Sequence, residues 1–298
     1  MHPVLSIHNI SKKYSTVQAL QDVSFEVPRG CVFGVLGPNG SGKTTLLGII
    51  LDILKANNGH YVWFGQKENY QVRKKIGSLL ETPNFYHYLS AVNNLKITQA
   101  ISQRGTEKDI DDVLEKVNLA QRKNSRFSSY SLGMKQRLAI GAALLGSPDV
   151  LVLDEPTNGL DPVGIAEIRI LIKQLAAEGK TIIMASHLLD EVEKVCTHVA
   201  ILKKGILLTA GAVDEVLANE DIIEIAASDM DALKRAVQNI HGYTRLKEEA
   251  NVLQLFFPKG TATPELINQH CFNSGVVLNS LSQKKKSLET KFFELTNN

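Results

Sequence analysis

Three places in this 298-residue chain carry residue types whose spacing suits chemistry on a phosphate. The first is Gly37-Pro38-Asn39-Gly40-Ser41-Gly42-Lys43-Thr44-Thr45, which has the spacing of a phosphate-binding loop. Its glycines let consecutive backbone N–H groups turn into one hollow. Lys43 can reach β- and γ-phosphate oxygens, and Thr44 can offer its hydroxyl to Mg²⁺. The second is Asp154-Glu155, two adjacent carboxylates closing the apolar run Val150-Leu151-Val152-Leu153. Strand alternation should point them different ways, so one can bind Mg²⁺ through water while the other orients an attacking water. The third is His187, just after the strand expected at 181–185. Alone it suits a cap or a packing histidine; beside a nucleotide it can donate to a phosphate.

These groups need elements to hold them. The apolar run Cys31 to Leu36 predicts a buried strand, and Leu46 to Leu51 predicts a helix, so the glycine loop joins a strand to a helix start with free N–H groups. Strands are expected at 4–10 and 22–27, with Tyr14 in the loop between them, either a surface aromatic or a ring for a base to stack on. A strand at 60–64 and another at 76–80 follow. The latter ends at Glu81, either a ligand-contacting group at a sheet edge or a solvated loop charge. Helical spacing then runs from about 90 to 146. Within it, Ser131 is a candidate N-cap and Gly133 allows close approach, whether as a plain cap or as an anion site. Asp161-Pro162 starts another helix, and Val199 to Lys203 with Ile206 to Leu208 forms a hairpin. Residues 219–298 read strand, helix (230–240), strand, strand, helix, strand, the split pattern of a ferredoxin-like module, and then a last helix, with Lys284-Lys285-Lys286 as its solvated start or as a contact for lipid headgroups or a partner.

Composition excludes several classes. The chain is 44% hydrophobic and 21% charged with net charge +2, so nothing argues for a nucleic-acid partner. No apolar run reaches the roughly 18 residues needed to span a bilayer, and no signal peptide is expected. Cys31 and Cys196 read as buried free thiols, in keeping with a reducing cytosol.

Taken together and in this order, the motifs over residues 4–218 resemble the nucleotide-binding subunit of ATP-binding-cassette (ABC) transporters. The signature motif is matched by Ser131-Leu132-Gly133-Met134-Lys135-Gln136-Arg137, the strand with the carboxylates by Leu151 to Glu155, and the loop after it by Gly159-Leu160-Asp161. The switch histidine is matched by His187, and the adenine-stacking aromatic by Tyr14. The resemblance implies an α/β P-loop (RecA-like) core with an antiparallel β subdomain and a helical insertion, over 1–218; residues 219–298 lie outside it and read as a small α+β accessory domain. It implies ATP and Mg²⁺ as cofactors and two cassettes facing head to tail. Gly37, Asn39, Gly40, Ser41, Gly42, Lys43, Thr44 and Thr45 would hold phosphate. Thr44, Asp154 and Glu81 would serve Mg²⁺, and Glu155 would polarise water. His187 would contact the γ-phosphate. Ser131 and Gly133 would serve the partner's ATP, with Asp161 linking the sites. Each motif occurs once, so the chain would supply half of a homodimer or of a pair with another ATPase subunit. A separate membrane permease would hold it at the cytoplasmic face.

Two positions depart from the family pattern. Glu81 stands where glutamine is usual, and its setting, Leu80-Glu81-Thr82-Pro83-Asn84-Phe85-Tyr86, resembles the branch tied to bacitracin and lantibiotic export or immunity. Leu132 stands where the signature usually has glycine, and a β-carbon there is expected to slow turnover. The rival reading is a soluble cassette ATPase acting on ribosomes or DNA; one compact cassette without zinc-type cysteine spacing or a basic tract weighs against it.

Overall fold

The mainly apolar stretches before residues 37, 154 and 187 form strands buried on both faces, as a parallel sheet covered by helices requires. The computed structural model describes residues 2–66, 69–80, 84–217, 220–249, 251–258, 260–285 and 288–296. The chain divides into two units, Met1–Ala212 and Val213–Asn298.

The first unit runs β1 (Leu5–Tyr14), β2 (Val17–Val27), β3 (Val32–Leu36), α1 (Lys43–Ile50), β4 (Asn58–Trp63), α2 (Tyr70–Lys74) and β5 (Ile76–Leu79). Three helices follow: α3 (Ala91–Ser102), α4 (Glu107–Lys116) and α5 (Leu132–Leu144). Then come β6 (Val150–Asp154), α6 (Pro162–Ala177), β7 (Thr181–Ser186), α7 (Leu189–Val195) and the hairpin β8 (His198–Lys203) with β9 (Ile206–Ala212). The main sheet has the order β5-β6-β7-β3-β8-β9; all neighbours are parallel except β8 and β9. Thus β6, β7 and β3 lie side by side, and the segments leaving their carboxyl ends share one edge. A second, antiparallel sheet has the order β2-β1-β4. Helix α1 joins the two sheets in one core: Leu46, Leu47, Ile49 and Ile50 are all buried among Leu5, Ile7, Leu20, Phe33, Val35 and Val152. Each such side chain contributes about 1.5–3 kcal/mol by burial. This fixes the loop in front of α1 from behind.

The helical insertion is built by local signals. Ser90 caps α3, and Thr106 with Asp109 forms a capping box on α4. The Arg104 guanidinium donates to the carbonyl of Ile76 at 2.7 Å, tying the α3–α4 turn to the main sheet.

In the second unit, α8 (Val213–Leu217) precedes β10 (Glu220–Ala227), α9 (Met230–Val237), β11 (Arg245–Glu249), β12 (Val252–Pro258), α10 (Pro264–Asn273), β13 (Leu278–Lys285) and α11 (Leu288–Thr296). Its sheet is antiparallel throughout, in the order β11-β12-β10-β13. That is the βαββαβ arrangement read from the sequence. Alternate residues Ile223 and Ile225 meet Leu253, Leu255 and Phe257, and α9 and α10 add Leu233, Val237, Ile267 and Cys271.

Four details differ from the expectation. Strand β1 extends to Tyr14 and β2 begins at Val17, so Tyr14 closes a strand instead of sitting in a loop. Ser15 at φ 49 makes the tight turn, and Lys12-Lys13-Tyr14 shows no apolar alternation to announce a strand. The unit boundary falls after Ala212, so α8 groups with the second unit, not with the first as the boundary at 218 had it. Lys284 belongs to β13 and pairs with Glu224 at 2.7 Å, where a solvated helix start was expected; Lys286 lies outside the described residues. Helix α9 ends at Val237, short of the expected 240.

Candidate functional site

The glycine loop leaves β3 and enters α1 through Gly42, the helix N-cap, at φ 102. A Cβ there would lie 2.5 Å from the carbonyl oxygen of Ala19, so only glycine fits both the angle and the space. Ser41 N–H donates to Pro38 O at 3.1 Å, and Gly205 N–H donates to Ser41 O at 3.0 Å. The loop is thereby pinned to itself and to the β8–β9 turn. Pro38, Asn39 and Gly40 remain exposed.

Two contacts bring the loop to the ends of β6 and β7. The Thr44 hydroxyl donates to Asp154 Oδ2 at 2.7 Å, across 110 residues of chain. The Lys43 ammonium, 6% exposed, donates to Gly37 O at 2.8 Å and Pro38 O at 3.3 Å and lies 3.4 Å from Glu155 Oε1. The other oxygen of Glu155 meets His187 Nδ1 at 2.8 Å. Lys43, Glu155 and His187 therefore form one line, with the carboxylate held between a cation and an imidazole. A buried ammonium is tolerated only when paired like this.

The two adjacent carboxylates do diverge, but not by strand alternation. Strand β6 ends at Asp154, and Glu155 takes a left-handed backbone, φ 47, while its N–H still donates to Ala185 O at 3.0 Å. The turn swings Glu155 toward Lys43 and leaves Asp154, 2% exposed, facing Thr44. A non-glycine residue with positive φ stores a small strain, which the surrounding contacts must hold.

The oxygens present suit magnesium. Mg²⁺ prefers hard oxygen ligands and is usually held by one or two carboxylates with substrate phosphates and water, not by an all-protein cage. The Thr44 hydroxyl with the Asp154 carboxylate is such a donor set, and among the described residues no cluster of three His, Cys, Asp or Glu could form a cage. The Ser41 hydroxyl, 1% exposed and without a hydrogen-bond partner among the described residues, is a further polar group available to a phosphate.

None of the contacts in this cluster involves Ser131, Gly133, Asp161 or Tyr14. Ser131 caps α5 by accepting from Met134 N–H at 3.3 Å, and Gly133 follows in its first turn. Asp161 caps α6 by accepting from Gly164 N–H at 2.9 Å, with Pro162 at the first helical position. Tyr14 is 42% exposed, with the Lys12 ammonium 5.1 Å from its ring centre. Glu81 lies outside the described residues. The Lys43–Glu155 pair is the element that sequence reading missed: no local signal links residues 112 positions apart. Asp161 as a cap was legible in Asp161-Pro162, a polar cap before a first-turn proline.

Cys31, Cys196 and Cys271 are free and buried. Burial pushes the Cys31 thiol up to about 12 and raises Cys196 as well.

Comparison with known proteins gives this geometry its setting. The sequence profile of the family described as "ABC transporter" matches residues 20–158, a span holding the glycine loop, Ser131 to Arg137 and Asp154-Glu155. The chain is 32% identical to the bacitracin transport ATP-binding protein BcrA of Enterococcus faecalis, over 99% of this chain and 97% of that protein. It is 38% identical to the lantibiotic transport ATP-binding protein SrtF of Streptococcus pyogenes, over 68% of this chain and 88% of that one. Among solved structures, it resembles a dimeric ATP-binding cassette in a post-hydrolysis state with ADP and Pi, at 25% identity and a TM-score of 0.62, covering 70% of this chain and 98% of that one. A loop, a carboxylate pair and a histidine scattered over the sequence meet at one sheet edge, and relatives aligned along nearly the whole chain carry transport ATP-binding names; the chain therefore belongs to the ABC transporter family, as an ATP-binding, ATP-hydrolysing subunit.

Proposed function

We propose that this chain energises a separate membrane permease at its cytoplasmic face, acting in a pair of cassettes that exports a drug or peptide antibiotic. The observation that carries the ATPase half is the convergence of Lys43, Thr44, Asp154, Glu155 and His187 at one edge. The export half is supported by the likeness to BcrA over 99% of the chain. Among the described residues no helix is long and apolar enough to cross a membrane, so the pathway would belong to another subunit.

In this reading the phosphates of ATP enter the hollow of residues 37–45. Lys43 exchanges its bonds to Gly37 O and Pro38 O for phosphate oxygens. Glu155, no longer held by Lys43, turns one oxygen to a water and takes its proton. His187, relieved of Glu155, donates to the γ-phosphate. Thr44 and Asp154 would hold Mg²⁺, with Glu81 as a further oxygen; the ion would supply positive charge to neutralise the phosphate. Tyr14 stacks on the adenine. Ser131 and Gly133 serve the ATP of the second cassette, a homodimer partner or a paired subunit, and the cap at Asp161 links the two sites. Leu132→Gly is expected to raise the ATPase rate by removing a β-carbon from the signature turn.

The test is copurification from membranes. A multi-span protein recovered with this chain supports the reading; recovery with ribosomes instead would favour the soluble alternative. Absence of Mg²⁺-dependent ATP binding would remove both.

A further inference from the structure

Two histidines stand side by side on the antiparallel sheet, and none of the contacts at the nucleotide site uses them. His8 of β1 pairs across the ladder with His60 of β4, and their rings stack with centres 4.8 Å apart and planes 28° from parallel. Leu5 and Ile7 on β1, with Tyr61 and Trp63 on β4, pack into the core, so strand alternation turns His8 and His60 outward, and both are exposed. Just past the pair the ladder slips: Asn9 is left-handed, φ 50, and the next paired residues are Ser11 and Asn58. Gly59, φ 83, meets this bulge so closely that a Cβ on it would stand 2.3 Å from the Asn9 carbonyl oxygen. The bulge and its glycine set how closely the two strands approach beside the rings. Among the described residues no hydrogen bond or ion pair takes up a nitrogen of either ring.

We propose that His8 and His60 form an exposed site for a divalent transition-metal ion of the zinc type. Imidazole nitrogen suits such ions, whereas Mg²⁺ takes oxygen ligands, so this site is chemically distinct from the one at Thr44 and Asp154. With Zn–N bonds of about 2.0–2.1 Å, two nitrogens of a tetrahedral set stand about 3.3 Å apart. Rings centred 4.8 Å apart bring one nitrogen each to that separation by turning about χ2, with the strands left in place. Zinc has no geometric demand from its d-electrons, so water can complete the set. Among the described residues no third His, Cys, Asp or Glu joins the pair, which makes the site open and exchangeable, unlike a closed structural zinc. The local charge favours a cation. Ser6, two residues before His8 on the same face, pairs with Glu26 of β2 and donates to its carboxylate at 3.4 Å. An ion here ties β1 to β4 where their ladder slips, and the unfolded chain does not hold the two rings together, so the ion stabilises the fold.

Calorimetric titration of Zn²⁺ into the full, untagged chain without nucleotide tests it. His8→Gln and His60→Gln should each weaken Zn²⁺ binding by about tenfold or more, since either change removes a ligand. His60→Cys, which keeps a zinc ligand, should retain it. Excess Mg²⁺ should not compete. Saturating Zn²⁺ should raise the thermal midpoint of the parent by several degrees and leave the midpoints of His8→Gln and His60→Gln where they are. His2→Gln, beside the N-terminal amine, and His187→Gln, at the nucleotide site, mark the other places where zinc could sit, and both should keep the parent's affinity for this ion. Equal Zn²⁺ affinity in the parent, His8→Gln and His60→Gln overturns the proposal. So does a loss confined to His2→Gln or His187→Gln, or a folded parent that binds no Zn²⁺. Both substituted positions face solvent, and circular dichroism of each variant confirms the fold before titration.

Discussion

The two units use opposite sheet designs, and only one of them gathers chemistry. In the first, β3, β6 and β7 are parallel neighbours, so segments from residues 37, 155 and 187 leave the same edge together. In the second, antiparallel neighbours send successive segments to opposite edges. The second unit's polar groups pair across the sheet surface instead, as the Lys284 ammonium and the Gln254 amide do on Glu224. A parallel sheet with strands buried on both faces spends its side chains on the core and leaves its carboxyl edge for ligands.

The largest effect should separate chemistry from binding in the first unit. Glu155→Gln is expected to slow ATP turnover by about 10²- to 10⁴-fold, the span of general acid–base catalysis, while keeping ATP affinity and trapping an ATP-bound dimer seen by sedimentation. A rate within a few-fold of the parent would break the assignment. In the second unit the large effect should be on folding alone. Phe257→Ala empties a buried site and should cost about 3–5 kcal/mol in denaturant unfolding of that unit, with Mg²⁺-ATP affinity unchanged. A matching loss of ATP affinity would show the two units are not functionally separate. Thr44→Val removes the donor to Asp154 and should weaken Mg²⁺-dependent ATP binding by about tenfold, measured by titration with and without the ion.

The smallest effect concerns pH. The Cys31 thiol is raised by burial from 9.0 to about 12, so the folded chain holds its proton longer than the unfolded chain. Below pH 9 both states are protonated and the thiol gives no pH dependence. Between pH 9 and 12 the unfolded thiol ionises and stability should fall, by about 1.4 kcal/mol per pH unit per thiol. Cys31→Ala should flatten that slope in chemical unfolding; an unchanged slope would place the effect elsewhere.

Residue order alone determined a good deal. Gly37 to Thr45 and Asp154-Glu155 are local patterns, each flanked by an apolar run whose length fixes a strand or a helix. Their chemistry is legible because backbone geometry over a few residues decides it. The βαββαβ order of the second unit is likewise largely local, since its elements apart from the fully exposed β11 carry apolar residues in their own pattern. What tertiary structure alone decided are the contacts between distant segments: Thr44 on Asp154, Glu155 between Lys43 and His187, His8 beside His60. No period or propensity encodes them, because they depend on which strands become neighbours and on one left-handed residue at the end of β6.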